Sequence, residues 1–167
     1  MKQTTMATAV ALAAAIALSA AHGQPMPRHD APDKSDAKEA YSPGLGEVMG
    51  LQQMRHSKLW FAGTSRNWDL AGYELDELKE GFEDAAKLFP KVNDVSVAQV
   101  VDGIDNNEIA ELGRAVEARD RARFTGAFDK LTAACNACHR STKHTFIVIQ
   151  RPTALPYTNQ AFTPARK

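Results

Sequence analysis

Four stretches of the chain repeat apolar residues every three to four positions, the spacing of one face of an α-helix. The first runs from Leu45 to Gly63. Advancing about 100° per residue puts Leu45, Val48, Met49, Gln52, His56, Leu59 and Trp60 on one broad face. His56 falls near the centre of that face, whereas Met54 points the opposite way with Phe61 near it. Ser42-Pro43 supplies an N-cap and first-turn pair for this helix. The second helix is predicted over Trp68 to Leu88, opened by Asn67 and stopped by Pro90, with Ala71, Leu75, Leu78, Phe82, Ala85 and Phe89 as its stripe. From Lys91 to Asn107 the pattern loosens; Val95 to Val101 reads as a short helix that Asp102-Gly103 ends. A third long helix is expected from Glu108 to Ala118 through Ile109, Leu112 and Val116. The fourth is expected from Asp120 to about Phe146, on the stripe Phe124, Phe128, Leu131, Cys135 and Cys138. Pro152, Pro156 and Pro164 exclude regular helix beyond Ile149. Gln150 to Lys167 is therefore expected as an extended tail, packing over the helices through Leu155, Tyr157 and Phe162.

Amphipathic helices joined by short links predict an all-α fold, an antiparallel four-helix bundle over residues 43–149. The residues before it belong to other classes. Met1 to Gly23 carries one early cation, Lys2, then an apolar run from Met6 to Ala21 and the small-residue pattern Ala21-His22-Gly23. That is the layout of a secretory signal peptide, with a mature chain starting at Gln24 and an exported, periplasmic product. The run is too broken by small residues to read as a spanning helix, so no stable membrane insertion is expected after cleavage. Residues 24–42 are polar, proline-containing and without an apolar face, a flexible leader in which His29 is solvated. Basic and acidic residues balance at 20 each, and loss of Lys2 leaves the mature form one unit acidic. Nothing in that balance points to nucleic acid or an anionic membrane as partner.

The chemistry concentrates in Cys135-Asn136-Ala137-Cys138-His139, a C-x-x-C-H sequence on the stripe of the fourth helix. Two thiols three positions apart share a helix face, so both can add to the two vinyl groups of one haem, and His139 follows as proximal iron ligand. These are the only two cysteines, so no Cys₄ zinc or iron–sulfur site can be completed. A thioredoxin-like dithiol would need a βαβ setting that the pattern lacks. A disulfide across two residues would leave His139 without a role. The motif thus predicts one covalent haem c, held by Cys135, Cys138 and His139.

Small globular cytochromes c carry this motif near the N-terminus and a methionine ligand far downstream. Here only 28 residues follow His139, none of them Met. The chain instead resembles cytochrome c prime and its low-spin relatives, which carry the motif on the last helix of a four-helix bundle. In those relatives an aromatic and then a basic residue follow the haem histidine by three and four positions; here Lys143 keeps the basic residue and Thr142 replaces the aromatic one. The resemblance implies that the first helix supplies the sixth iron position, either an apolar blocker or a ligand. His56 is expected as distal ligand, on the reasoning that His139 faces the middle of the first helix; Met49, nearer the tip, is the runner-up, and His144 is badly placed. The functional expectation is electron transfer with redox partner proteins, without enzymatic turnover, since apart from His56 no distal acid–base set is visible. Two other readings stay open: a five-coordinate binder of nitric oxide or carbon monoxide, and an accessory haem subunit docking through its tail and the acidic face of the second helix. Bundles of this kind often form homodimers.

Overall fold

The computed structural model describes residues 41–155 and 157–165. The segment expected as a signal peptide (1–23), the part of the expected leader through residue 40 with His29, Pro156 and residues 166–167 lie outside the described residues. α1 spans Leu45–Thr64 and α2 spans Trp68–Leu88. A two-residue hairpin follows, β1 Lys91–Val92 paired antiparallel with β2 Val95–Ser96 around a left-handed Asn93. Next come α3 Val97–Ile104, a π-helical turn Asp105–Ile109, α4 Ala110–Glu117 and α5 Arg121–Ser141. The fold among the described residues is mostly helical, with the hairpin as its only sheet.

The helix starts follow their caps. The Asn67 side chain accepts from Leu70 N at 3.4 Å, Ser96 from Gln99 N at 3.4 Å, and Asp120 from Ala122 N at 2.9 Å and Arg123 N at 3.1 Å. Each satisfies an amide that the first helical turn leaves without a partner. α1 differs from expectation: Gly44 is its N-cap, with no side-chain cap, so Ser42-Pro43 sits just outside the helix.

The break expected at Asp102-Gly103 does not occur. α3, the π turn and α4 run on as one helical path, because Gly103 is exposed and costs only propensity, about 1 kcal/mol. The π turn has a reason in the apolar spacing. Val97, Val101 and Ile104 are buried before it and Ile109, Leu112 and Val116 after it. The step from 104 to 109 is five residues, which an α-helix would rotate off the core face and a wider i→i+5 turn keeps on it. The amides of Asn106 and Asn107 donate to the carbonyls of Asp102 (2.8 Å) and Gly103 (2.7 Å) beside the widened turn.

The fourth helix stops five residues short of Phe146. At its end Lys143 takes a left-handed φ of 63°, Lys143 N bonds Arg140 O at 3.2 Å and His144 N bonds His139 O at 2.7 Å. This pair of reversed bonds is the Schellman closure, here built without glycine. Arg66 (φ 59°) closes α1 and Arg119 (φ 52°) closes α4 in the same way. The core they enclose is led by Leu59, Leu78, Leu112, Phe124, Phe128 and Leu131, all fully buried.

Candidate cofactor site

α1 and α5 pack antiparallel in a register that three contacts define. His56 Nε2 lies 2.9 Å from Thr132 Oγ1, the Trp60 and Phe128 rings are 4.9 Å apart, and Gly63 faces the Phe124 ring, where an added Cβ would come within 2.6 Å of Cε2. The close approach at Gly63 draws the two helices together at that end. Toward the other end a cavity of about 370 Å³ opens between α1, α2, α3 and the last turns of α5. Its wall is largely apolar, with Leu45, Leu78, Phe82, Ala85, Val97, Val100, Val101 and Ile104 on it. Such a volume and lining are those of a small-molecule or cofactor site.

Cys135, Cys138 and His139 all open onto this cavity, and so do Met49 and His56 from the opposite side. Both cysteines are free thiols. Burial among apolar neighbours, with Cys138 adding to it, pushes the Cys135 thiol up to about 12, and burial raises Cys138 as well. Burial thus disfavours the thiolate at both, the form in which sulfur acts as nucleophile or metal ligand. His139 Nδ1 is 3.0 Å from the carbonyl of Ile147. A carbonyl only accepts, so Nδ1 carries the proton and Nε2 of the neutral ring keeps its lone pair.

His56 is buried at 4 % exposure, with its ring 4.3 Å from that of Phe128. Burial lowers its pKa to about 4, so the ring is neutral. The Thr132 hydroxyl donates to Phe128 O at 2.9 Å, which spends its only proton. His56 must therefore donate from Nε2 to Thr132 Oγ1, and Nδ1 holds its free lone pair. The register departs from the one expected. Pairing 56 with 132 and 60 with 128, continued along both helices, brings residue 49 level with 139. The middle of α1 faces Thr132, and His56 sits about 10 Å along the helix axis from the level of His139.

Three further groups complete the site. The segment after α5 turns back, so that His144, Ile147 and Ile149 join the cavity wall. Asn136, inside the motif, fastens that segment: its Nδ2 donates to Ile149 O at 2.8 Å and its Oδ1 accepts from Ile149 N at 2.8 Å. Thr142, at the position that is aromatic in the relatives the sequence resembles, is buried, donating to Cys138 O at 2.8 Å and accepting at its carbonyl from Asn93 Nδ2 at 2.6 Å. No glycine or proline marks this turn, and that is why periodicity carried the helix on to Phe146.

Among the described residues no three His, Cys, Asp or Glu side chains converge as a metal-binding cluster, and no helix is long and apolar enough to cross a membrane. No family model, no curated protein and no solved structure matches the chain.

Proposed function

We propose that the chain is a mono-haem c-type cytochrome, exported to the periplasm, that carries electrons between redox partner proteins, with a fold of the cytochrome c prime kind. The observation that carries this reading is convergence: one apolar cavity receives Cys135, Cys138 and His139 together. The group fits the residues present. The thiols are unpaired and three positions apart on one helix face, the proximal imidazole keeps an Nε2 lone pair, and the wall beyond is apolar. Bound there, haem would supply a one-electron ferric–ferrous couple. The protein's part is to bond the macrocycle through Cys135 and Cys138, hold iron through His139, and keep water off with Leu78, Phe82, Val97 and Val101.

For the far side of the iron the register of α1 against α5 supports a different order from the one expected from sequence. Met49 is level with His139, and its thioether has no competing hydrogen-bond partner among the described residues. His56 lies deeper and spends Nε2 on Thr132. Met49 is accordingly the first choice as distal ligand and His56 the second.

The test is expression in a host that matures c-type cytochromes, followed by acid–acetone extraction. Haem should stay with the protein, and Cys135→Ala with Cys138→Ala should lose it; extractable haem or none at all refutes the reading. Mass spectrometry should also find a mature chain starting at Gln24. Spectra then assign the ligand. Met49→Leu should turn a low-spin protein high-spin while His56→Ala leaves it low-spin, and the reverse result restores His56. A parent protein that is high-spin and binds carbon monoxide rapidly would make it a gas binder.

A further inference from the structure

We infer, resting on the haem reading above, that the segment following α5 is a positioning strap that sets the proximal histidine, with Asn136 as the residue that fastens it. The strap begins where Lys143 reverses the chain, makes a second turn in which Ile147 N bonds His144 O at 2.9 Å, and then runs without helix or strand through Arg151. Its side chains alternate. Ile147 and Ile149 line the cavity, while Phe146 and Val148 stand 79 % and 72 % exposed. An irregular segment in which Ile147 is also 41 % exposed gains little by packing, so something else must hold it in place.

Two anchors do. Asn136 pairs with both backbone polar groups of Ile149, a two-bond amide clamp at 2.8 Å in each direction. Arg151 binds Asp129 through two parallel bonds, Nε to Oδ1 at 2.6 Å and Nη2 to Oδ2, and its guanidinium lies 5.0 Å from the Trp60 ring centre. Both anchors reach from α5 to the strap, Asn136 one turn before His139 and Asp129 ten residues before it. Between the helix end and the clamp lies Ile147, whose carbonyl takes the Nδ1 proton of His139 at 3.0 Å. The clamp thereby does two things through the backbone. It fixes the tautomer that leaves Nε2 able to bind a metal, and it adds electron density to the ring. A partner on the second nitrogen of a metal-bound histidine makes the ligand more basic, and its removal changes metal affinity by about ten- to a hundred-fold. A more basic ligand favours ferric over ferrous iron.

The experiment uses the full chain matured with haem and measures the reduction potential by spectroelectrochemistry. Asn136→Ala removes both clamp bonds and should raise the potential by the equivalent of about a tenfold loss of ferric preference, ~59 mV for one electron. Asn136→Asp keeps the acceptor for Ile149 N–H and should recover part of the shift. Arg151→Ala, at an exposed site that leaves the helix intact, should move the potential the same way by less. Asn67→Ala is the structural control: it removes a helix cap and a bond to Thr163 O in the distant tail, so it should lower the melting temperature and leave the potential alone. A nitrogen-15 spectrum of the His139 ring reads the same contact directly, and its Nδ1–H signal should weaken in Asn136→Ala. If the protein carries haem and Asn136→Ala keeps the parent potential and ring signal, the strap does not position His139. A shift in Asn67→Ala as large as in Asn136→Ala would reduce the effect to general destabilisation and overturn it equally. A parent chain that matures without haem sinks the functional reading, and this inference with it.

Discussion

Replacing Gly63 by alanine should destabilise the protein, although alanine is the better helix former. Gly63 is buried inside α1, where the exchange by propensity alone would gain about 1 kcal/mol. The neighbour decides otherwise. A Cβ at this position would meet the Phe124 ring, 2.6 Å from Cε2 and closer to Cζ and Cε1, against about 3.5–4.0 Å for ordinary carbon contacts. The ring or the helix must give way by about 1 Å or more. Phe124 is fully buried, with Trp68 edge-on at 6.1 Å and Phe128 at 6.0 Å, so it cannot turn aside without moving both. Overpacking of a filled core costs about 1–3 kcal/mol, and three clashing ring atoms put this site at the upper end. After the propensity gain the net loss is about 2 kcal/mol, or roughly 8 °C in Tm for a domain of this size. Gly126→Ala is the matched comparison, a glycine within α5 whose added Cβ meets nothing within 4 Å. It should stabilise by about 0.5–1 kcal/mol. Urea and thermal melts of both variants give the two signs. A Gly63→Ala protein as stable as its parent would refute the claim that this glycine sets the α1–α5 approach. Coupling is a second check: combined with Phe124→Leu, the alanine should cost less than it does alone.

Lys143→Gly should stabilise the fold by about 0.5–1 kcal/mol, since glycine bears a φ of 63° without the penalty a side chain incurs; the urea midpoint reads it. In the haem-free chain, His56 makes stability depend on pH. The unfolded ring takes a proton near 6.5 and the folded one only near 4, so stability is full above about 6.5 and falls as the pH drops toward 4, by roughly 3 kcal/mol in all. His56→Leu should flatten that slope in urea melts between pH 7 and 4. Lys58 lies 3.6 Å from Glu74, whose carboxylate is buried and whose pKa burial raises despite that cation. Lys58→Ala should cost about 3 kcal/mol by stranding the charge, and adding Glu74→Gln should recover most of it in the same melts.

Apolar spacing was enough to read α2 and the start of α5, because in each a stripe coincides with a recognisable cap or stop, Asn67, Pro90 and Asp120; α1 was legible from its stripe alone, its expected Ser42-Pro43 cap falling outside the helix. It was enough, too, to put both thiols on a core face, since Cys135 and Cys138 continue the line of Phe124, Phe128 and Leu131. The five-residue step from Ile104 to Ile109 was present in the sequence, but two short helices explain a phase slip as readily as one path with a π turn. Only burial of Val97, Val101 and Ile104 on the same core as Leu112 distinguishes them. The end of α5 had no local signal, because left-handed backbone at Lys143 is stabilised by the bonds to Arg140 and His139 and by the strap beyond, not by the residue itself. The levels of Met49 and His56 relative to His139 are the clearest case. Both lie on one face of α1, and helix periodicity says nothing about how far one helix slides along another. That offset is fixed by Gly63 against Phe124 and by His56 against Thr132, contacts between residues far apart in the chain. A sequence specifies which face a side chain is on through the local geometry of one helix; which group it then meets depends on packing, where the volumes of two helices must fit each other.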